Sequence, residues 1–517
     1  MNTENPIIKQ AMIGTANPID FDSPLKDIIF NLQINDREKE FLLLTGCIGI
    51  YQTSGYKPSA IEINVQASPE ESMKPCSQVI IQIIDRIFRG EHIDLITELC
   101  DRMQKHNQIM PYHLLNTALN IKNETIKKAI VKIIGKRGYW LSQFKDEWKW
   151  VSDYLEELTD SLPSNIEDIF ETEAYHKKRL GLFKKIRKIN PSDALKLIEK
   201  TWSNENAERR KDFIQMFNID ISEEDEPFLD KALFDRSISV REEASKALTK
   251  ISNSRFLKEI INISDSFTEC QASINLLINP PDKFKKEWEN YGILQKTQEK
   301  IGLRAWWLIQ FISFIPPKHW NTRFEIDKQS LLKAALSNNE WGMGFIEGLS
   351  NACLLHNDKE WISVLWDFWF SYIPPKNNYR EINVTTNFIE KLFSNMSVQD
   401  KKNRVWKIFE KKDVKSSRFH WCINDDSEFC KAIADEYMLK LQNYIRNFNL
   451  KKNDDFYIWI DTMVLFAKNL PYEYFDKALK IKLFDEKAQY SDYLKNELNK
   501  FIEIIQLRKC IVEEING

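Results

Sequence analysis

Two short cationic runs carry the most pointed chemistry in this chain. The first is GKRGYW, Gly135 to Trp140, in which Lys136 and Arg137 stand between two glycines and ahead of two aromatics. Gly135 and Gly138 suit a tight turn at a helix end. Cations beside open backbone amides suit a phosphate or a carboxylate. The spacing is neither the GxxxxGK[ST] of a phosphate-binding loop nor a dinucleotide fingerprint. The motif reads as a structural corner with Trp140 and Trp148 packed behind it, and Lys136 and Arg137 as an anion or partner contact. The second run is HKKRLGLFKKIRK, His176 to Lys188. Leu180, Phe183, Ile186 and Ile189 form one apolar stripe at helical spacing. Lys177, Lys178, Arg179, Lys184, Lys185 and Arg187 then face outward, joined by Arg209, Arg210 and Lys211. Such a ridge is a solvated charged face, a protein contact or a nucleic-acid contact. Glu205, Glu208 and the EEDE run at 223–226 lie close in sequence and favour the first.

A third stretch, EDEPFLDKALFDRSISVREEASKALTKI from Glu224 to Ile251, gathers acids, arginines and serines. Helix chemistry accounts for it better than catalysis. Pro227 fits a first turn, FDRSIS forms a polar turn, and Ser239 with Glu242 has capping-box spacing. Val240, Ala244, Ala247, Leu248 and Ile251 recur on one face. Asp235, Arg236 and Arg241 stand near the turn, where the acid and arginine of a HEAT repeat, which this stretch resembles, tie neighbouring turns together by hydrogen bonds. Elsewhere no HExxH occurs, and His420, Cys422 and Cys430 lack a fourth well-spaced ligand. No serine or cysteine sits in a recognisable nucleophile elbow. No catalytic residue, cofactor or metal is assigned.

The elements that must position these residues are helices. In 517 residues, 73 basic against 76 acidic side chains give a net charge of −3, so no global attraction to nucleic acid or anionic membrane follows. The eight cysteines form no CxxC pair and read as reduced thiols. The first residues carry no secretory pattern, and no long uncharged apolar run predicts a transmembrane helix. A cytoplasmic location is expected. Apolar runs of 10 to 16 residues alternate with polar turns, as in NPSDALKLIEKTW, where Asn190 caps and Pro191 opens the helix. Residues 56–75 read as a loop and AIEINVQ as the best strand candidate. Ile-Pro-Pro-Lys occurs at Ile315 and at Ile373, each time after an aromatic-rich run. This reads as a repeated helix terminator in stacked units, or as a row of Pro-aromatic edges forming a partner groove. The chain divides into an N-terminal helical region (1–155), a repeat region (156–262) and an aromatic-rich C-terminal helical repeat region (263–517).

Two short antiparallel helices with Asp235 and Arg241 at these positions resemble a HEAT repeat. The expected fold is therefore all-α, an α-α superhelix of HEAT-like repeats with an additional helical C-terminal region. VKIIGKRGYWLSQFKDEW (131–148), TWSNENAERRKDFI and DEPFLDKALFDRSISVREEASKAL are similar to segments of an uncharacterised bacterial family of about 500 residues. AMIGTA near the N-terminus agrees more loosely. Genes of that family tend to neighbour those of MoxR-type AAA ATPases, von Willebrand A domain proteins and SWIM-type zinc-binding proteins. The resemblance implies a non-catalytic scaffold or adaptor whose protein partner is such an ATPase or von Willebrand A protein, with no membrane contact. Relatives carry an acid where Phe234 stands and basic residues where Ala16 and Asn17 stand, which weakens any idea of an invariant reaction centre. The alternative is a HEAT-like nucleic-acid-binding or DNA-repair enzyme. It predicts a basic groove floored by an acid and exposed tryptophans. The interaction reading predicts buried tryptophans and dispersed charge.

Overall fold

The computed structural model describes residues 6–18, 33–54, 66–158, 162, 166–172, 176–271, 275–410, 419–423, 426–448, 456–482 and 492–516. Contacts divide the chain into two compact units, residues 1–67 and 68–517. In the first, Leu44 and Ile48 of the helix Arg37–Ser54 form a small core with Ile7, Ile34, Phe41 and Cys47. The strand expected at 60–66, apart from Gln66, and the first half of the loop expected at 56–75 fall outside the described residues.

The second unit is all-α. Among its described residues the only strands are the two-residue pair Lys74–Pro75 with Gln108–Ile109, which is parallel, and the hairpin Thr268–Gln271 with Asn275–Ile278. Its helices start where the sequence supplies side-chain caps. Ser77, Asn123, Asn190, Asn206, Ser254, Asp327, Asp358 and Asp426 each accept a bond from a first-turn amide, which satisfies donors the helix leaves open. Pro191 opens its helix, and Pro227 lies in the first turn of Glu226–Ala232. One cap is displaced from expectation. The helix Ile238–Leu248 is preceded by Ser237, not Ser239, and the Ser237 amide donates to Asp235 Oδ1 at 2.8 Å. Ser237 makes no side-chain cap bond, so the expected capping box does not form.

Two apolar clusters fill the second unit. The smaller is built from Ile80 to Tyr154 and is completed by Ile511 and Ile515 from the far end of the chain. The larger runs from Phe170 to Val512 and also takes in Leu95. The expected boundary at 262–263 lies inside the helix Arg255–Asp265, whose Phe256 and Ile260 belong to that continuous core, so packing does not break there. The last helix, Asp492–Asn516, packs against Phe456–Asn469 and also against Gln78–Phe88 and Ile96–Lys105. The two ends of the array therefore meet. Arg508 fastens this closure: its guanidinium pairs with Glu98 through Nε at 2.6 Å and Nη2 at 3.1 Å. It also donates to the carbonyls of Ala467 and Leu470. Arg86 and His92 both reach Glu503 across the same seam.

The Ile-Pro-Pro-Lys copies are not equivalent. Ile315 is buried and Pro317 leads directly into the helix Lys318–Phe324, whereas Ile373 is 88% exposed on the turn after Lys359–Ser371. The helix before the first copy, Leu303–Phe314, packs chiefly on Gly342–His356, three helices further along. The helix before the second packs on its immediate successor, Tyr379–Ser394. The shared tetrapeptide stops two helices that sit in different surroundings, so no row of matching edges forms.

Candidate functional site

The basic run folds as the helix His176–Ile189, and the structure turns part of it inward. Arg187 is fully buried. It meets Asp225 in a two-pronged pair, Nη1 to Oδ1 at 2.8 Å and Nη2 to Oδ2 at 2.9 Å. It also donates to the carbonyls of Ile219 and Asp220 at 3.1 and 3.0 Å and lies over the Phe217 ring. Arg179, also buried, pairs with Glu205 and lies over Phe170. Arg210 pairs with Asp235 at 2.8 and 3.0 Å and donates to the Glu205 carbonyl. Arg241 bonds the carbonyls of Asp235 and Glu289. Each guanidinium thus carries one helix pair onto the next, a ladder of the kind that fixes the stacking of repeats. The expectation that Arg179, Arg187 and Arg210 form a surface contact is corrected: buried and paired, they are not accessible to a partner. Arg236 is exposed and takes no part in the ladder.

What stays outside is partly neutralised. Lys178 pairs with Asp153 at 2.6 Å, and Lys177 approaches Glu124 at 3.4 Å. Glu124 also meets Lys127, and its carboxyl is held down to about 2, first by the Tyr154 hydroxyl and then by Lys127. Arg209 lies 3.9 Å from Glu205. Lys184 is exposed and Lys185 half-buried. The burial of Arg179, Arg187 and Arg210 breaks up the expected ridge.

The GKRG corner is built differently from its expected form. Gly135 does not end a helix; it opens one, Gly135–Ser142, from a left-handed φ of +69°. A side chain there would be strained, and its Cβ would lie 2.3 Å from Ile109 Cδ1 and 2.4 Å from Glu71 Oε2. Gly138 is buried inside the helix, where a Cβ would press on Ile134. The Lys136 amide donates to Glu71 Oε2 at 2.7 Å, and its Nζ donates to the Glu70 carbonyl at 3.2 Å. A carboxylate of the chain itself therefore occupies the positive end of this helix. Arg137 is exposed and lies 4.0 Å from the Tyr112 ring centre. Trp148 is buried behind the corner and donates to Asn120 Oδ1, while Trp140 lines a cleft and meets Phe144 edge-on. The cleft has a volume of about 480 Å³. It is lined by Pro69, Glu71, Met73, Ile134, Tyr139, Trp140 and Leu155 among others. Sequence reasoning missed Glu71. Its partner is 65 residues away, and its neighbours give no periodic signal.

Among the described residues, no group of three or more His, Cys, Asp or Glu is placed to hold a metal ion. Cys422 and Cys430 are buried; the side chain of His420 lies outside the description. Burial pushes the Cys100, Cys353 and Cys422 thiols up, and Cys76 to about 11, which disfavours the thiolate. No described helix is long and apolar enough to cross a membrane.

Stacked helices tied by buried arginine–carboxylate pairs define an all-α, repeat-like protein. Within that class the chain belongs to DUF5691, a family of unknown function, with the match covering residues 6–515. No curated protein and no solved structure matches it.

Proposed function

We propose that this chain is a cytoplasmic, non-catalytic helical-repeat scaffold or adaptor. Its proposed protein partner is a MoxR-type AAA ATPase or a von Willebrand A domain protein. The observation that carries the reading is where the aromatic and basic groups went. None of the 15 tryptophans is exposed, and the arginines of the basic run are spent on the ladder. A nucleic-acid enzyme needs stacking faces and phosphate-binding cations at its surface. A repeat array needs only a rigid surface to present. The free thiols agree with a reducing compartment.

The test is affinity capture of the tagged chain from its native host, with nuclease treatment, followed by sedimentation of the purified chain with the candidate ATPase. A nuclease-resistant protein complex that re-forms from purified components is the expected result. Recovery of nuclease-sensitive nucleoprotein alone would overturn the reading.

A further inference from the structure

We propose that the seam between the last helix and the start of the array is a pH-sensitive latch, with His92 as its proton switch. The two ends are held more tightly at mildly acidic pH and open more readily above neutrality.

His92 stands where a latch can act. The turn Arg89–His92 joins the helix Gln78–Phe88 to the short run Ile93–Leu95, which leads into Ile96–Lys105. These are the two helices at the start of the array on which Asp492–Asn516 rests. From that corner the imidazole Nε2 reaches Glu503 Oε1 at 3.0 Å, 411 positions along the chain. Gly90 and His92 both take left-handed backbone, with φ of +98° and +49°. That conformation is uncommon for a residue with a side chain, and it persists where the surroundings hold it. Here Glu503 holds the side chain across the seam.

The neighbouring charges are engaged with one another. Arg86 meets Glu503 at 3.1 Å and Glu91 at 2.7 Å. Asp94 pairs with Lys468, and Glu98 with Arg102 and Arg508. Among these partners, histidine is the one side-chain type whose charge ordinarily changes between about pH 5 and 8. The His92 ring, and then the Arg86 guanidinium, hold the Glu503 carboxyl below its usual range, so it stays ionised through that interval. Burial pushes the Cys100 and Cys510 thiols up and keeps them neutral. Attraction across the seam is therefore complete while the imidazole is protonated. It is lost as pH rises through the imidazole's titration, when the neutral ring keeps the hydrogen bond and gives up the charge. Arg508, Ile511 and Ile515 join the ends at either pH. The switch thus sets how often the seam opens, not whether it forms. His92 is half-buried and Glu503 exposed, so the charge shifts the opening equilibrium by about two- to fivefold, as solvent-facing ion pairs do.

Hydrogen exchange of the full chain, read by mass spectrometry and corrected for the intrinsic pH dependence of amide exchange, tests this. The comparison variant is His92→Asn, which suits left-handed backbone and does not titrate. At about pH 5.5, amides of Gln78–Phe88 and Asp492–Asn516 should exchange about two- to fivefold faster in the variant than in the wild type, and at about pH 8 the two proteins should agree. Taking the ratio at each pH cancels the titration of every other group, His356 included. In a Glu503→Gln background, His92→Asn should change exchange at neither pH, which separates the ion pair from any backbone effect of altering the turn. A ratio that is the same at both pH values, or one that grows with pH, would overturn the proposal. So would a His92→Asn effect that survives in the Glu503→Gln background, or one that appears equally in Leu303–Phe314, away from the seam.

Discussion

Arg187 illustrates what a residue type does and does not announce. The stripe of Phe183 and Ile186 is legible from its spacing, and both are buried. That Arg187 follows them inward is not, because the carboxylate that receives it stands 38 residues further on. Removing one partner of a buried pair strands the other. Arg187→Ala should therefore cost about 3–5 kcal/mol in urea denaturation, whereas Arg187→Met with Asp225→Leu should recover most of that loss. Lys184→Ala, on the exposed face, should stay within about 0.5 kcal/mol. A second residue sets a pH limit. Burial lowers the pKa of His356, with Lys250 adding in the same direction and Asp358 and the Phe314 carbonyl opposing. The unfolded chain then takes up the proton first as pH falls. Stability from this group is complete above the unfolded value of about 6.5 and is lost as pH drops through the folded value. The melting temperature should fall from pH 7.5 towards about 5.5, and His356→Gln should flatten that part of the profile.

At the scale of elements, helix starts were the most legible feature, because a cap is a local interaction between residues two or three apart. Asn190 with Pro191 is the clear case. Ser239 was misplaced because Asp235, answering both Arg210 and the Ser237 amide, sets the turn instead. Pairing between helices was least legible. Leu303–Phe314 skips two helices to lie on Gly342–His356, and glycines permit that approach. A Cβ on Gly348 would sit 2.6 Å from Ile312 Cβ and 2.9 Å from the Ile309 carbonyl. On Gly344, in the same helix, it would meet nothing closer than 3.5 Å. Gly348→Ala should destabilise by about 1–3 kcal/mol through overpacking. Gly344→Ala should be neutral or stabilising by up to about 1 kcal/mol from helix propensity. Thermal denaturation of the two variants side by side would separate packing from propensity.

For the 68–517 unit, the sequence predicts stacked helices, and its ends are joined besides. The seam joins Ile511 and Ile515 to the Ile80–Tyr154 cluster and Arg508 to Glu98, partners 410 residues apart. No local pattern encodes that distance. In an open array, damage at one end stays near that end. Here Arg508→Ala should raise amide hydrogen exchange in Gln78–Phe88 and Asp492–Asn516 together, at a cost of about 2–3 kcal/mol because two carbonyls and Glu98 lose a donor. Glu98 retains Arg102, which keeps the loss below that at Arg187. Exchange confined to the C-terminal helix would contradict the coupling.

The seam also sets a schedule for synthesis. A ribosome releases Glu98 roughly 20–80 s before Arg508, at about 5–20 residues per second. Through that interval the faces of Ile80 and Ile84 await a helix that has not been made. Nascent chains of this protein should therefore depend on chaperones in proportion to how slowly the last 25 residues arrive.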